Sequence, residues 1–245
     1  MKKELGLLSP LQGEVLGAFF ERERGFFLTG GGALAGFHLR HRTTTDLDLF
    51  TMDPSAFERG RHVMADLAES LAAELEILQD APGFRRYGVS RSGETLLVDL
   101  VLERVKQLCA DKPDHDGVLV DPPEEILANK LNTLVSRAEE RDVVDVMLLE
   151  RAGYRVENAL SAALDKDGGC TPATLAWLLS QVEIPDGVSL PANVEAGELR
   201  SYIADLVRRL RRAALPALPT SRPGYLTHPL GRSVMLTPRA AWRRD

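Results

Sequence analysis

Residues 26–50, FFLTGGGALAGFHLRHRTTTDLDLF, carry more chemical information than any other part of this chain. After an apolar start, three consecutive glycines occupy residues 30–32, and a polar and basic segment follows. Asp46 and Asp48 then alternate with leucines. Alternation with a period of two predicts a β-strand, with both carboxylates on one face and the leucines in the core.

These residue types in this order point to a particular chemistry. Two carboxylates side by side repel each other and resist being ionised together. A divalent cation removes that repulsion, and Mg²⁺ usually binds through one or two carboxylates together with substrate phosphates. A glycine turn before a helix lets backbone N–H groups approach a phosphate. The combination predicts nucleotide chemistry, although a tight turn and a solvated edge strand would explain each half separately.

The composition is that of a globular chain. Of the 245 residues, 44% are hydrophobic, which is enough for one large or two small domains. No apolar run approaches the ~20 residues needed to cross a bilayer, and polar residues near the start interrupt any signal-peptide core. We therefore expect a cytoplasmic protein with no membrane partner. The net charge of −6 does not favour a nucleic-acid partner globally, and two cysteines are too few for a disulfide framework or metal cluster.

Apolar spacing predicts a mixed α and β part followed by a helical part. In the first part we expect a helix from Pro10, the strand with both aspartates, a helix from Pro54 that includes Leu75, and hairpin strands at 85–90 and 95–102. After Pro122 we expect only helices, at 122–135, 141–151, 155–167, 172–182 and 195–215. We therefore predict one domain at residues 1–120 and a helical region at 121–245, whose tail from Pro216 fits no element.

Asp99 is the only polar residue in the apolar run at 96–102. A buried carboxylate is costly unless it has a partner, a metal or a raised pKa. The alternative is a strand whose single polar position faces solvent, and the strand alone favours neither interpretation. Because Asp46 and Asp48 lie on another predicted strand, we interpret Asp99 as the third carboxylate of a metal site.

A second informative segment is residues 127–149, LANKLNTLVSRAEERDVVDVMLL. Lys130 could meet nucleotide phosphates, whose charge an ammonium would offset, and Arg141 with Asp142 could orient the site. The four-residue spacing of Arg137 and Arg141 predicts a shared helix face. The alternative is an ordinary amphipathic helix with solvated, locally paired charges.

Two smaller features allow more than one interpretation. The threonines at 43–45 could contact a phosphate or cap the turn, and His41 is expected to hydrogen-bond its loop rather than act in catalysis. The arginines at 208–212 could contact RNA, although a solvated helix face explains them equally simply.

Three blocks together resemble the nucleotidyltransferases of the DNA polymerase β type, and most of all the AbiEii-type toxin family of abortive-infection and toxin–antitoxin systems. They are LTGGGALA at 28–35, HRTTTDLDLF at 41–50 and NKLNTLVSRAEERDVVDV at 129–146. The resemblance implies an α+β minimal nucleotidyltransferase fold, with a mixed sheet flanked by helices, followed by a helical C-terminal region. It also implies transfer of a nucleotidyl group from an NTP to RNA or protein, with Mg²⁺ at one or two sites and a possible cognate antitoxin as a partner.

The resemblance assigns roles by position. Metal binding and catalysis fall to three carboxylates, Asp46, Asp48 and, by strand context only, Asp99. Nucleotide binding falls to the glycine pair, a loop hydroxyl, a lysine and an RDxxD motif, namely Gly30, Gly31, Thr44, Lys130, Arg141, Asp142 and Asp145. Lys130 is also implied in catalysis, where it would steady the leaving pyrophosphate.

Two other functions remain open at this stage. Gly32 stands where the family often has serine or threonine, so a module that binds nucleotide or a partner without turnover is one alternative. A nucleotidyltransferase for a small, aminoglycoside-like acceptor is the other. The arginines at 208–212 favour a macromolecular acceptor over a small one.

Overall fold

The computed structural model describes residues 6–215, in which five strands form one mixed sheet in the order β1-β2-β5-β4-β3. The strands are β1 (Phe27–Thr29), β2 (Asp46–Thr51), β3 (Glu74–Ala81), β4 (Phe84–Arg91) and β5 (Glu94–Leu102). β2 and β5 run parallel, and the other neighbouring pairs run antiparallel. The expected mixed sheet is confirmed, and the strand with Asp46 and Asp48 lies beside the strand with Asp99.

Helices flank this sheet and make up the regular structure of the described residues beyond Pro122. They are α1 (Pro10–Arg22), α2 (Gly30–Ala33), α3 (Pro54–Ser70), α4 (Pro123–Ser136), α5 (Glu140–Arg151), α6 (Val156–Lys166), α7 (Pro172–Leu179) and α8 (Ala196–Ala213), with a 3₁₀ turn at Pro191–Asn193. The predicted helical C-terminal region is therefore confirmed. None of the described helices is long and apolar enough to cross a membrane.

Local sequence explains where the helices that cover the sheet begin. At α1, the Ser9 side chain accepts a hydrogen bond from the Gln12 backbone N–H, and the Gln12 side chain accepts one from Ser9 N–H. This capping box satisfies two N–H groups that have no partner within the helix. Asp53 caps α3 in a similar way through Ser55 N–H. Each helix then starts with a proline, where the missing N–H costs nothing.

The hydrophobic core is continuous from α1 to α8. Leu47 and Leu49 of β2 are fully buried in it, as the alternation predicted. The change from a mixed to a helical part occurs where expected, near residue 120, and the division into two domains there stays a prediction. The described residues up to Ala214 belong to one compact unit, and the predicted tail from Pro216 lies outside the described part of the chain.

The prediction for residues 71–81 is wrong. We expected the helix from Pro54 to include Leu75, but α3 ends at Ser70 and Leu75 lies in β3. The backbone of Ala72 has a φ of 50°, which is incompatible with a continuing right-handed helix. β3 is an edge strand with mostly exposed residues, so it lacks the alternation of a half-buried strand. The four-residue spacing of its first leucine from the end of α3 therefore resembles a helical pattern by coincidence.

Candidate functional site

The floor of the candidate site is formed by β2 and β5. Parallel pairing places Asp48 directly beside Asp99, and Asp46 lies two residues earlier on the same face of β2. The leucines that alternate with them enter the core on the opposite face. The structure therefore brings together the three carboxylates that we predicted from the sequence.

Asp48 is the carboxylate that most needs a cation. Its side chain is half-buried, and neither oxygen has a hydrogen-bond or ion-pair partner among the described residues. Burial, reinforced by repulsion from Asp46 and Asp99, raises the pKa of Asp48 to about 7, although Lys130 and Arg137 act in the opposite direction. At neutral pH this carboxylate will therefore take up either a proton or a cation, and hard oxygen donors of this kind suit Mg²⁺.

Asp46 is oriented by the loop that precedes it. The Thr44 hydroxyl donates a short hydrogen bond to Asp46 Oδ1, and Gln12 Nε2 fixes the same loop by donating to the Thr44 carbonyl at 3.0 Å. Asp46 Oδ2 accepts no hydrogen bond from a described residue. We predicted Thr44 as a nucleotide-binding residue. The structure places its hydroxyl proton on a carboxylate, so Thr44 positions Asp46 in this arrangement.

Gly30 and Gly31 form a turn in direct contact with these groups. Gly30 has a φ of 62°, a left-handed conformation that favours glycine. A Cβ atom at Gly30 would overlap Asp48 Oδ2, and one at Gly31 would lie 2.9 Å from Arg42 Nη2. The turn therefore needs glycines because carboxylate and guanidinium groups occupy the space where side chains would be.

Gly32 and the following helix contribute less to the site than the sequence suggested. A Cβ atom at Gly32 would point at Leu28 and Leu47, each 3.2 Å away, so a serine or threonine here would face the core. α2 has only four residues before the chain enters a π-helical turn at Leu34–His38. Because the dipole of so short a helix is small, attraction for phosphates must come mainly from cationic side chains.

Lys130 is the central cation of the site. It lies on α4 and lines the cleft above β2. Its Nζ atom is 2.8 Å from Asp142 Oδ1 and 2.7 Å from Asp145 Oδ2, in a buried environment. Burial alone would lower the pKa of Lys130, but the charges of Asp145 and Asp142 raise it above its ordinary value. The ammonium is therefore charged and held in place before any ligand arrives.

Asp145 is a buried carboxylate that several groups share. Arg42 binds it with both prongs of the guanidinium, Nε to Oδ1 and Nη2 to Oδ2, each at 2.9 Å. His41 Nε2 lies 2.7 Å from Oδ1, so His41 fixes its loop as we expected. Although burial opposes it, hydrogen bonding from Arg42 and His41 holds the pKa of Asp145 well below its usual range.

Arg137 and Arg141 do not share a helix face, contrary to our prediction. Arg137 is the residue that ends α4, and Ala138 has a φ of 43°, so α5 starts as a separate helix. Arg137 Nε donates to Asp142 Oδ2 at 3.0 Å, and Arg141 Nε donates to Glu139 Oε2 at 2.7 Å. Both guanidinium groups nevertheless line the cleft.

Asp142 and Asp145, which we predicted as nucleotide-binding residues, lie behind the cations and do not line the cleft. They hold Lys130, Arg42 and Arg137 in place instead. Our predicted site residues did not include the two arginines. The sequence contained a signal for Arg137, because it follows Lys130 by seven residues, two helical turns, and so falls on the same face of α4.

The cleft enclosed by these elements has a volume of about 520 Å³, within the usual size range of small-molecule sites. One end is basic and is lined by four side chains, those of Arg42, Lys130, Arg137 and Arg141. The other end is more apolar, with Phe50, Val105 and Ile126. Amides and hydroxyls of α4 line the cleft as well, from Asn129, Asn132, Thr133 and Ser136. Such a polarised cleft has one end suited to phosphates and another suited to a flat, less polar group.

Lys166 is a further cation that our sequence reasoning missed. It is the last residue of α6, lines the cleft and has only 4% of its side chain exposed. Its Nζ atom lies 2.7 Å from Oε1 of the buried Glu125, in the first turn of α4. A lone lysine at the end of an amphipathic helix carries no sequence signal. Only the packing of α6 against α4 brings Lys166 to the cleft.

Asp99 differs from Asp48 because it already has a cationic partner. Arg86 Nε donates to Oδ1 at 2.8 Å, and Arg86 Nη2 donates to Oδ2 at 2.6 Å. Within residues 6–215, no group of three or more histidine, cysteine, aspartate or glutamate side chains is arranged to hold a metal ion. The donors best placed for a cation are therefore Asp46 and Asp48.

The fold is similar to that of solved structures from Helicobacter pylori. The crystal structure of JHP933 from Helicobacter pylori matches with a TM-score of 0.52 and 18% sequence identity, over 83% of this chain and 92% of that chain. A second structure from H. pylori, described as a proposed nucleotidyltransferase, has a TM-score of 0.42 at 13% identity, over 84% and 96% of the two chains, and carries no argument. No curated protein matches the chain.

A family model described as nucleotidyl transferase AbiEii toxin, type IV toxin–antitoxin system, matches residues 15–222. The match includes the glycine turn, the strand with Asp46 and Asp48, and the α4–α5 block with Lys130. It confirms the resemblance that we drew from three short sequence blocks. The chain belongs to the AbiEii family of nucleotidyltransferase toxins.

Proposed function

We propose that this protein is a Mg²⁺-dependent nucleotidyltransferase that transfers a nucleotidyl group from an NTP to RNA or protein. We also propose that it is the toxin of a toxin–antitoxin system and has a cognate antitoxin. The observation that carries the chemical part is the unpaired Asp48, beside Asp46 and beneath the fixed ammonium of Lys130. The toxin role is supported by the family alone.

The proposed metal site consists of Asp46 and Asp48. Asp46 keeps one oxygen without a partner and Asp48 keeps both, and the raised pKa of Asp48 shows that the site lacks positive charge in its neighbourhood. When bound there, Mg²⁺ would supply Lewis-acid stabilisation of charge on the reacting phosphate oxygens. Two carboxylates with free oxygens therefore fit this ion.

The basic end of the cleft would bind the triphosphate. Lys130, Arg42 and Arg137 are fixed by buried or partly buried aspartates, so they require little reorganisation when an anion binds. Arg141 lines the same end. The nucleobase would then lie towards Phe50, where an aromatic ring and two aliphatic side chains offer a less polar surface.

In the proposed reaction, a hydroxyl oxygen of the acceptor forms a bond to the α-phosphorus. The bond between that phosphorus and the oxygen bridging to the β-phosphate breaks, and pyrophosphate leaves with the bonding electron pair. Asp99 is the proposed acceptor of the hydroxyl proton. Lys130 would offset the charge that develops on pyrophosphate, so positioning and electrostatics supply most of the rate.

An acceptor screen tests this proposal. The purified protein is incubated with Mg²⁺, each of the four NTPs labelled at the α-phosphate, and total bacterial RNA and protein. We expect label on one acceptor class and a preference among nucleotides. Nucleotide binding in calorimetry without label on RNA, protein or an aminoglycoside panel would favour a binding module without turnover.

The glycine turn provides one quantitative prediction. Gly30→Ala should lower kcat/KM for transfer by about 10²-fold, because the added methyl displaces the Asp48 carboxylate and small displacements of reacting groups cost about that much. The matched control is Gly17→Ala, an exposed position on α1 with no neighbour within 4 Å, which should keep full activity. Equal activities of the two variants would contradict the placement of Gly30 against Asp48.

The basic helix α8 provides a second prediction, about the acceptor. Arg209 pairs with Glu150, Glu157 and Asp205, so it supports the fold rather than a ligand. Arg211 and Arg212 are exposed and form no ion pair with another described residue. With an RNA acceptor, replacing both by serine should weaken binding and reduce the salt dependence of log Kd by roughly one unit. NTP binding measured by calorimetry should not change, and an unchanged salt dependence would exclude this surface as an RNA contact.

A further inference from the structure

The pairing of Asp99 has a consequence for the number of cations in the site. Asp99 lies on β5 and Arg86 lies directly opposite it on the antiparallel strand β4. The guanidinium binds the carboxylate with two parallel hydrogen bonds, at 2.8 and 2.6 Å. Only 8% of the Asp99 side chain is exposed, whereas 42% of the Arg86 side chain is. The strand register builds this pair into the sheet.

Such a pair occupies the atoms that a second metal ion would need. A bidentate guanidinium uses one lone pair on each carboxylate oxygen and fixes the plane of the group. A divalent cation at Asp99 would also lie within a few ångströms of the positive charge of Arg86, in a partly buried environment where repulsion is strong. Asp48, by contrast, has both oxygens without a partner among the described residues.

The balance of charge favours the same conclusion. Asp46, Asp48 and Asp99 carry three negative charges when ionised, and the positive charge of Arg86 acts on all three carboxylates. The guanidinium together with one divalent cation neutralises this face of the sheet. A second divalent cation would leave it with an excess of positive charge unless Arg86 moved away.

We infer that the site holds a single divalent cation, on Asp46 and Asp48, and that Arg86 is a positioning residue that prevents Asp99 from binding a second one. This inference rests on the proposed function of the site and specifies its metal content. Asp99 remains an ionised carboxylate beside Asp48, as the proposed reaction requires of a proton acceptor.

The test counts bound Mn²⁺ by electron paramagnetic resonance, with and without an NTP analogue that has a methylene group between the α- and β-phosphates. We expect one Mn²⁺ per chain in the wild type under both conditions. Arg86→Gln should bind a second Mn²⁺ at least tenfold more tightly than the wild type does. Arg86→Lys keeps the positive charge and should bind one, and Arg86→Gln/Asp99→Asn removes the freed carboxylate and should also bind one.

Several outcomes would overturn the inference. Two Mn²⁺ per chain in the wild type, with or without the analogue, would show that Arg86 does not exclude the second ion. A folded Arg86→Gln protein, verified by circular dichroism, that still binds one would show the same. No Mn²⁺ on the wild type would overturn both this inference and the proposed metal-dependent function, whereas two would leave the latter intact.

Discussion

Asp48→Asn should lower nucleotidyl transfer by about 10³-fold or more while leaving the fold intact. The substitution keeps the shape of the side chain and removes the charge that would hold the cation against the phosphates. Lewis-acid stabilisation of this kind is worth several kcal/mol, and each ~1.4 kcal/mol corresponds to a factor of ten in rate. The measurement is transfer of α-labelled nucleotide under conditions where the wild type is saturated with Mg²⁺.

The same variant should be more stable than the wild type in metal-free buffer at pH 8. The pKa of Asp48 is raised from an ordinary value of 3.8 to about 7, so the folded state binds the proton more tightly than the unfolded state. The wild type therefore loses stability as pH rises from about 4 to about 7, and this loss is absent from Asp48→Asn. Thermal unfolding at several pH values measures the difference.

Asp66→Asn is the matched control for both measurements, because Asp66 is an exposed aspartate on α3. It should change neither transfer nor the dependence of stability on pH. Full activity of Asp48→Asn would show that the metal assignment is wrong. A large loss of stability in that variant would show that Asp48 has a structural partner that the geometry does not contain.

Asp145→Asn should produce the largest loss of stability among substitutions at the site. It removes the negative charge shared by Arg42, Lys130 and His41, and leaves two buried or nearly buried cations with less compensation. Breaking such a buried arrangement costs about 3–5 kcal/mol. For a chain of this size, that corresponds to a decrease in Tm of roughly 10 °C. Thermal unfolding followed by circular dichroism measures it.

The pH dependence of this loss distinguishes an electrostatic role from a packing role. The pKa of Asp145 is held below its ordinary value of 3.8, so its contribution is present above pH ~4 and disappears as pH falls below that. The difference in stability between wild type and variant should therefore shrink in acid. Asp205→Asn is the control, because its pairs with Arg208 and Arg209 lie on an exposed surface and should be worth less than ~1 kcal/mol. Equal losses from the two variants would contradict the account.

The fold was predictable where local patterns are strong. The alternation of Asp46 and Asp48 with leucines identified β2, and proline starts with apolar spacing identified α1, α3 and α4. β3 could not be predicted, because an exposed edge strand carries no alternating burial and its position is set by pairing with β4. The break at Ala138 was also missed, because the apolar and charged residues of α4 and α5 continue the same spacing across it.

The candidate site was predictable as a list of residues but not as a set of contacts. Asp46, Asp48, Asp99 and Lys130 do converge on one cleft. The division of labour among the charged groups depends on tertiary packing: Asp142 and Asp145 lie behind the cations that they support. Arg86 lies opposite Asp99 only because of the β4–β5 register, and no local pattern in the sequence indicates that pair.

The most direct test of nucleotidyl transfer compares two positions of the label in the same NTP. The purified protein is incubated with Mg²⁺, the acceptor and NTP labelled at either the α- or the γ-phosphate. We expect the α-label to become covalently attached to the acceptor and the γ-label to be released as pyrophosphate, because the proposed reaction breaks the bond between the α- and β-phosphates. Attachment of the γ-label would show phosphoryl transfer instead, and the absence of both labels from every acceptor would contradict the proposed activity.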